Sequence, residues 1–478
     1  MPVVWILLSL LLFFLSVILV RAALFVPGQE AKEAADTIDV DADQLGGHLQ
    51  AMIRLKTISY AEEDRMDRQQ FLQFRSLLRQ LYPTVFECCR YEQVGRNGML
   101  LCLPGQNTDK PSVLMAHYDV VPVEETLWSV PPFEGVIKDG ELWGRGAIDT
   151  KCTVLCLMEA AETLLKGGFR PRNDLYLSFG GDEETLGQDT AAIVDMLESR
   201  GIRPAFVLDE GGAVVSRVFP GVTKSAALVG IAEKGSVFMD IVAKGKGGHA
   251  SAPPARQSAG ILARALLRLL NRPMPFTLTE PARGLFDTLG RHSTFAYKLI
   301  FANLWCFAPL LDRICRSAGG ELNALVRTTS AFTRLSAAEA YNVLPTQSRA
   351  GVNIRLISGD RMEAARARME GIIDDPQVQV KIIKGSEPSI VSPAEGESWE
   401  RLKRAIRQTY PEAIVSPYLM VAASDSRHYC RISDKVYRFS GFPLSREQLG
   451  FIHGEDERIP LKLLPDAQRF FMRVIAQC

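Results

Sequence analysis

The longest apolar run of the chain lies at its N-terminus. Residues Val3 to Val20 are nearly all Leu, Val, Ile and Phe, and no charged side chain precedes Arg21. About 20 apolar residues suffice for one helix across a bilayer. The small residues after Val20 also fit a cleaved secretory signal, but a signal usually starts with basic residues, which are absent here. We therefore predict a single-pass membrane anchor over residues 1–24, with secretion after signal cleavage as the alternative.

Short apolar runs then alternate with helical patterns. Val113–Ala116, Leu175–Phe179 and Phe206–Leu208 have the length and composition of buried strands, and Cys152–Leu165 has helical spacing. Strands alternating with helices indicate an α/β fold. We expect a mixed, largely parallel sheet.

A second unit interrupts this core. Ser236–Ala243 and Gln347–Leu356 alternate apolar and polar residues as half-buried strands do, and Ala255–Leu270 has helical spacing. The pattern predicts a second, smaller α+β unit inserted into this core. The predicted organisation is an anchor at 1–24, a linker at 25–45, the first half of the core at 46–228, the inserted unit at 229–356 and the second half of the core at 357–478. The family resemblance given below implies that the core is a catalytic domain and the inserted unit its lid.

The segment Phe295–Leu311 inside the predicted lid is also apolar. Lys298, Asn303 and Pro309 interrupt it, and it is short for a second membrane span. A span here would also separate two halves of one site across a membrane. We expect a buried or membrane-facing lid helix.

Composition narrows the functional classes. A chain of 478 residues favours two domains. Lys+Arg and Asp+Glu both number 55, so no basic face for nucleic acid is indicated. The nine cysteines include no Cys-x-x-Cys metal motif, and they leave the redox compartment open.

Candidate chemistry lies where the predicted strands end. Imidazoles and carboxylates without thiolates suit Zn²⁺ or a similar divalent cation. His117 and Asp119, two apart, would project to one face, so that Asp119 can orient the imidazole. Singly, each residue is a common cap, turn or surface group, so the set carries the inference. The candidates are His117, Asp119, Asp149, Glu183, Glu184, Asp209, His249 and His453.

These fragments, in this order, resemble the dinuclear-zinc aminoacylase and glutamate-carboxypeptidase metallopeptidases over residues 46–478. The run Ser424–Tyr429, the pair Glu387-Pro388 before Ser392-Pro393, and the long lid are similar to the carboxypeptidase S branch, which includes N-fatty-acyl-amino-acid synthases/hydrolases.

The resemblance implies two Zn²⁺ ions and a ferredoxin-like lid. One ion would be bound by His117, Asp149 and Asp209, and the other by Asp149, Glu184 and His453. Glu183 would be the general base and Asp119 the partner of His117. The family also commonly has a cis peptide just after the residue matching Asp149.

The resemblance assigns substrate contacts to the lid. Asn342 and Arg355 would hold the substrate carboxylate, and His249 would stabilise the oxyanion, often in a neighbouring subunit, so a homodimer through the lid is a further expectation. Arg427 would add a second carboxylate contact. Glutamate-specific relatives carry an added basic residue that the stretch Gly385–Ile390 lacks, which favours apolar or acyl substrates.

The leading hypothesis is a zinc amidohydrolase cleaving peptides, as a carboxypeptidase, or N-acyl amino acids. The metal chemistry is the same for both. A reversible N-fatty-acyl-amino-acid synthase/hydrolase is the alternative. A non-catalytic metal-binding membrane protein is a remote third, because every predicted ligand and the base are present.

Overall fold

The computed structural model describes residues 2–28, 33, 36–217 and 219–478. Some of the predicted 25–45 linker, residues 29–32, 34 and 35, therefore lies outside the described residues. The helices are α1 Pro2–Leu24, α2 Ala42–Ile53, α3 Arg68–Leu81, α4 Pro83–Cys88, α5 Lys151–Lys166, α6 Asp189–Ser199, α7 Ser258–Asn271, α8 Glu280–Arg291, α9 Phe295–Phe301, α10 Leu304–Ala318, α11 Gly320–Ala324, α12 Met362–Ile373, α13 Gly396–Thr409, α14 Arg446–Leu449 and α15 Leu464–Ile475. The strands are β1 Arg90–Val94, β2 Gly98–Leu103, β3 Asn107–His117, β4 Val136–Lys138, β5 Glu141–Trp143, β6 Asn173–Gly180, β7 Phe206–Asp209, β8 Val214–Val215, β9 Ala226–Glu233, β10 Gly235–Lys244, β11 Gly248–His249, β12 Thr329–Ser336, β13 Val343–Leu344, β14 Gln347–Leu356, β15 Val378–Ser386, β16 Ile414–Met420, β17 Val436–Arg438 and β18 Arg458–Pro460.

The catalytic domain is built on one mixed sheet with the order β1-β2-β6-β3-β7-β17-β9-β16, and β8 pairs with β9. The pairs β6–β3, β3–β7, β7–β17 and β9–β16 are parallel. Every residue of β2 is buried, as is nearly all of β6. Strands buried on both faces read as continuous apolar runs, because helices cover both sides of the sheet. The predicted α/β class with a largely parallel sheet is confirmed.

The lid is a separate antiparallel sheet with the order β12-β14-β10-β15. Helices α7 and α12 cover one face of it with a core of its own, which includes Val237, Ile241, Ile261, Ile354 and Met369. The predicted α+β lid is therefore present. Its sheet also includes β15, which pairs with β10 beyond the predicted boundary at 356, because β10 is a central strand that needs a partner on each side.

A helical insertion, residues 272–328 with α8 to α11, leaves the lid after α7 and returns at β12. Its core packs instead on the catalytic domain, where Leu285 and Phe286 join Tyr418 and Leu419 of the edge strand β16. The apolar segment expected to form one lid helix is broken between α9 and α10 at Ala302–Asn303. The insertion also contacts the end of the N-terminal helix α1, through Phe25.

Candidate metal centre

Three neighbouring parallel strands bring the predicted residues to one edge of the sheet. His117 ends β3 and pairs in register with Gly180, which ends β6 three residues before Glu183. Strand β7 lies on the other side of β3 and ends at Asp209. Open α/β sheets place their sites at the carboxyl ends of such strands. Helix α5 starts two residues after Asp149, and the Asp149–Thr150 peptide is cis, as the resemblance implied.

Three side chains from separate segments, His117, Glu184 and His453, meet around the Asp149 carboxylate. Its Oδ1 lies 3.0 Å from His117 Nε2, and its Oδ2 lies 3.1 Å from His453 Nε2. Glu184 Oε2 is 2.9 Å from the same nitrogen of His453. Each oxygen of the Asp149 carboxylate therefore lies beside a different imidazole. This is the arrangement that a carboxylate bridging two cations requires.

The donor set fits two divalent cations. Ligand atoms about 2.0–2.1 Å from Zn²⁺ at tetrahedral angles lie about 3.4 Å apart. The separations around Asp149, from 2.9 to 3.4 Å, are of this size. Nitrogen and carboxylate oxygen donors without sulfur suit Zn²⁺ and other divalent first-row ions.

The residue beside His117 on the β7 side is Glu210, not Asp209. Glu210 Oε1 lies 3.4 Å from His117 Nε2. The Asp209 carboxylate is buried and instead accepts a hydrogen bond from the Ser426 backbone N–H at 3.0 Å. Because successive residues at a strand end point to opposite sides, only one of the pair can face the cluster. The fragment Leu-Asp-Glu-Gly-Gly contained Glu210, but nothing in it indicated which acid faces inward.

Asp119 connects His117 to the acidic pair. Its Oδ1 lies 3.3 Å from His117 Nδ1, and its carboxylate accepts hydrogen bonds from the backbone N–H groups of Glu183, at 3.2 Å, and Glu184, at 3.1 Å. Ser59 donates a further hydrogen bond, at 2.7 Å. This fully buried carboxylate therefore fixes the ring of His117 and the turn that carries both glutamates.

Glu457 and Arg145 join the two loops that carry Asp149 and His453, and sequence reasoning missed both. Glu457 is fully buried and accepts backbone hydrogen bonds from Gly146, Ile148 and Asp149 at 3.0, 2.7 and 3.1 Å. Arg145 pairs with Glu457 at 2.7 Å and donates to the His453 carbonyl at 3.3 Å. Both residues lie inside the sequence fragments that carry Asp149 and His453. Their position beside these two candidates was the signal that could have identified them.

The clustered charges shift the titration of the site. Although burial opposes the charged imidazole, Glu210, Asp119 and Asp149 raise the pKa of His117 well above its ordinary value. Hydrogen bonds to Asp149 and Glu184 raise the pKa of His453 to about 10. Burial, with repulsion from Asp425 and Glu210, raises the pKa of Glu183 well above its ordinary value. The acidic cluster therefore favours positive charge, as a cation site does.

A cavity of about 210 Å³ opens onto this cluster. At its polar end stand Asp149, Glu183, Glu210 and His453. Most of the remaining wall is apolar and comes from the segments after β7, β16 and β17 and around α14. The apolar side chains of this wall are Ile148, Ala213, Met420, Ala422, Ala423, Phe442, Leu444, Leu449, Ile452 and Ile459.

The predicted substrate contacts of the lid lie apart from the cluster. His249 and Asn342 are exposed at the two-stranded antiparallel sheet of β11 and β13, where the Ala250 N–H donates to the Asn342 carbonyl at 3.1 Å. Arg355 is half-buried on β14. Among the described residues, no hydrogen bond or ion pair joins these three to the cluster. Arg427 lies nearer, donating to the Ser424 carbonyl at 2.8 Å and to Asp425 at 3.3 Å.

Comparison with known proteins agrees with this geometry. The model of peptidase family M20/M25/M40 matches residues 113–477. The chain is 36% identical over 438 residues to the N-fatty-acyl-amino acid synthase/hydrolase PM20D1 of Xenopus tropicalis, covering 90% of this chain and 85% of the relative. It is 35% identical over 443 residues to the probable carboxypeptidase S-like 2 of Dictyostelium discoideum, covering 90% and 84%.

Solved structures share the fold. The M20 family metallo-carboxypeptidase Sso-CP2 from Sulfolobus solfataricus aligns with a TM-score of 0.68 at 16% identity, over 92% of this chain and 99% of that one. Human carnosine dipeptidase 1 aligns with a TM-score of 0.62 at 16% identity, over 91% and 96%. The match to the family model and the identity to these relatives establish that the chain belongs to peptidase family M20/M25/M40 and is a metal-dependent amidohydrolase of the peptidase class.

Proposed function

We propose that the protein hydrolyses the amide bond of N-acyl amino acids that have a free carboxylate and an apolar acyl group. The observation that carries this proposal is the apolar wall of the cavity that opens onto Asp149, Glu183 and Glu210. An apolar cavity with a few polar groups at one end fits a ligand with a single polar head and an apolar body. The name of the Xenopus tropicalis relative, a synthase/hydrolase of N-fatty-acyl-amino acids, supports the same substrate class.

Two Zn²⁺ ions fit the proposed ligand set. His117, Asp149 and Glu210 would hold one ion, and Asp149, Glu184 and His453 the other, with Glu210 taking the place expected for Asp209. When bound, such ions polarise the scissile carbonyl and lower the pKa of water at the site. Glu183 faces the same cavity and is left without a ligand role. It accepts the proton of the attacking water and returns it to the leaving amine.

The lid and the N-terminal helix complete the proposal. Closure of the lid, or a second subunit, brings Asn342 and Arg355 to the substrate carboxylate and His249 to the oxyanion. Arginine matches a carboxylate with two parallel hydrogen bonds. The N-terminal helix anchors the enzyme in a membrane, where amphiphilic N-acyl amino acids concentrate. Its length and apolar composition support this role.

The test is a rate comparison with purified full-length protein and Zn²⁺. N-acyl amino acids of increasing chain length should be cleaved faster than short polar dipeptides. Ala422→Phe, at an exposed residue of the cavity wall, should slow long-chain substrates and spare N-acetyl amino acids. Ala364→Phe, at an exposed position of α12, is the matched control. Faster cleavage of the dipeptides, with no effect of Ala422→Phe, would indicate a carboxypeptidase instead.

A further inference from the structure

The last turns of α1 are packed against the helical insertion. Ile18 and Ala22 are its two buried residues, and Phe25 follows them into the same contact. The Asn303 side chain, fully buried, donates to the Ile18 carbonyl at 3.1 Å. The Arg21 guanidinium donates to the Ala302 carbonyl at 3.0 Å. This contact fixes where α1 leaves the folded protein.

The contact also determines how deep the insertion would lie in a membrane that α1 crosses. Arg21 is the first charged residue of the chain and marks the polar end of the apolar run. Trp305 lies against Phe14, with ring centroids 5.8 Å apart. Phe14 precedes Arg21 by seven residues, or about 10 Å along a helix. The first turn of α10 therefore runs beside the apolar stretch of α1, and a bilayer crossed by α1 would surround that turn as well.

The side chains that α9 and α10 expose have the composition of a membrane interface. Phe295 and Tyr297 of α9 and Trp305 of α10 are 51%, 40% and 59% exposed. Leu310 and Ile314, four apart and therefore on one helix face, are 43% and 41% exposed. Exposed Arg313 lies between them. Aromatic rings with a basic residue suit the headgroup boundary.

We propose that α9, α10 and the last turns of α1 form one membrane-docking surface, with Phe295, Tyr297, Trp305, Leu310 and Ile314 embedded at the boundary between headgroups and acyl chains. Amphipathic helices bind there with their apolar face roughly 5–10 Å deep. The occupant is the bilayer rather than a second copy of the chain, because the surface is continuous with a helix of 23 residues whose apolar side chains are almost all exposed. The proposal rests on the membrane anchor of the proposed function.

The surface is tested by the depth of Trp305 in vesicles. The full chain is reconstituted in phosphatidylcholine vesicles whose acyl chains carry bromine at a shallow or a deep position. The fluorescence of Trp305 is obtained as the difference between the wild-type protein and Trp305→Phe. This fluorescence should be quenched by the shallow bromines. Trp5→Phe reports the anchor separately, since Trp5 lies near the start of α1. Quenched Trp5 with Trp305 accessible to aqueous iodide would overturn the docking surface and keep the anchor.

Two further outcomes are also decisive. Trp305 shielded from both lipid bromine and iodide would identify a second protein copy on this face and overturn the proposal. Quenching of neither tryptophan by lipid would reject the anchor and the surface together. In the expected case, Leu310→Glu with Ile314→Glu should reduce the quenching of Trp305 about twofold or more, since charge is expelled from this layer. Leu267→Glu with Leu270→Glu, at exposed positions of α7, should leave it unchanged.

Discussion

Replacing Glu457 with Gln should weaken metal binding although this residue is not a proposed ligand. One carboxylate oxygen accepts from Ile148 and Asp149, and the other accepts from Gly146 and Arg145. An amide of the same shape offers one acceptor oxygen, so its NH₂ must face two of these donors. The change also leaves the buried Arg145 without a counter-charge.

The magnitude follows from these contacts. Removing one partner of a buried ion pair costs about 3–5 kcal/mol of unfolding free energy. Residues that orient metal ligands typically change metal affinity about 10–100-fold. Because Glu457 holds the loop of Asp149, and Arg145 holds the carbonyl of His453, we expect a loss of Zn²⁺ affinity within that range.

Two measurements separate positioning from stability. Urea unfolding in the presence of a chelator gives the stability of the metal-free protein, and calorimetric titration with Zn²⁺ gives the affinity. Glu162→Gln is the matched control, since this buried carboxylate accepts backbone hydrogen bonds from Thr84 and Val85 away from the cluster. The Glu162→Gln substitution should lower the free energy of unfolding by about 1–2 kcal/mol and leave the Zn²⁺ affinity unchanged. Wild-type Zn²⁺ affinity in Glu457→Gln would refute the positioning role.

Three further outcomes are expected. Glu183→Gln should keep two metal ions per chain by atomic emission while turnover falls by about 10²–10⁴-fold; near-normal turnover would exclude a general base at this position. Glu210→Gln should lose one ion, whereas Asp209→Asn should keep both and lose stability; the reverse would restore Asp209 as the ligand. Burial, with repulsion from Arg355, lowers the pKa of Lys234 to about 7. The unfolded chain therefore binds more protons between pH 7 and 10, so wild-type stability should rise over this range relative to Lys234→Met; equal pH profiles in urea unfolding would contradict it.

Residues placed by local patterns were predicted well from the sequence. Strand β14 has the bounds that alternation gave, because one buried face requires a period of two. His117, Asp149, Glu184 and His453 meet as the order of fragments implied. Their roles as ligands stay predictions until metal is measured.

Features that depend on pairing between distant segments could not be predicted from the sequence. The choice between Asp209 and Glu210 depends on where β7 ends, and that is set by its pairing with β17, more than 220 residues later. The extent of the lid depends on β15 pairing with β10. The contact of α1 with the insertion joins residues more than 280 apart. No local periodicity carries such information.

The insertion restricts the conformational freedom of the lid. A lid that is joined to the catalytic domain by two chain segments can rotate about a simple hinge. Here the segments that lead into and out of the helical insertion form two further connections between the lid and the catalytic domain. Lys234 ties these crossings together, donating to the carbonyls of Ala324 and Arg327 at 2.9 Å each, while Arg327 donates to the Met274 carbonyl at 2.9 Å. Because the insertion is also packed on β16 and α1, rotation of the lid must bend these hydrogen-bonded connections or move helices that contact α1. If the lid closes over the cluster and α1 lies in a membrane, as proposed, lid closure and the tilt of α1 are mechanically linked, and lid dynamics should differ between detergent and bilayer.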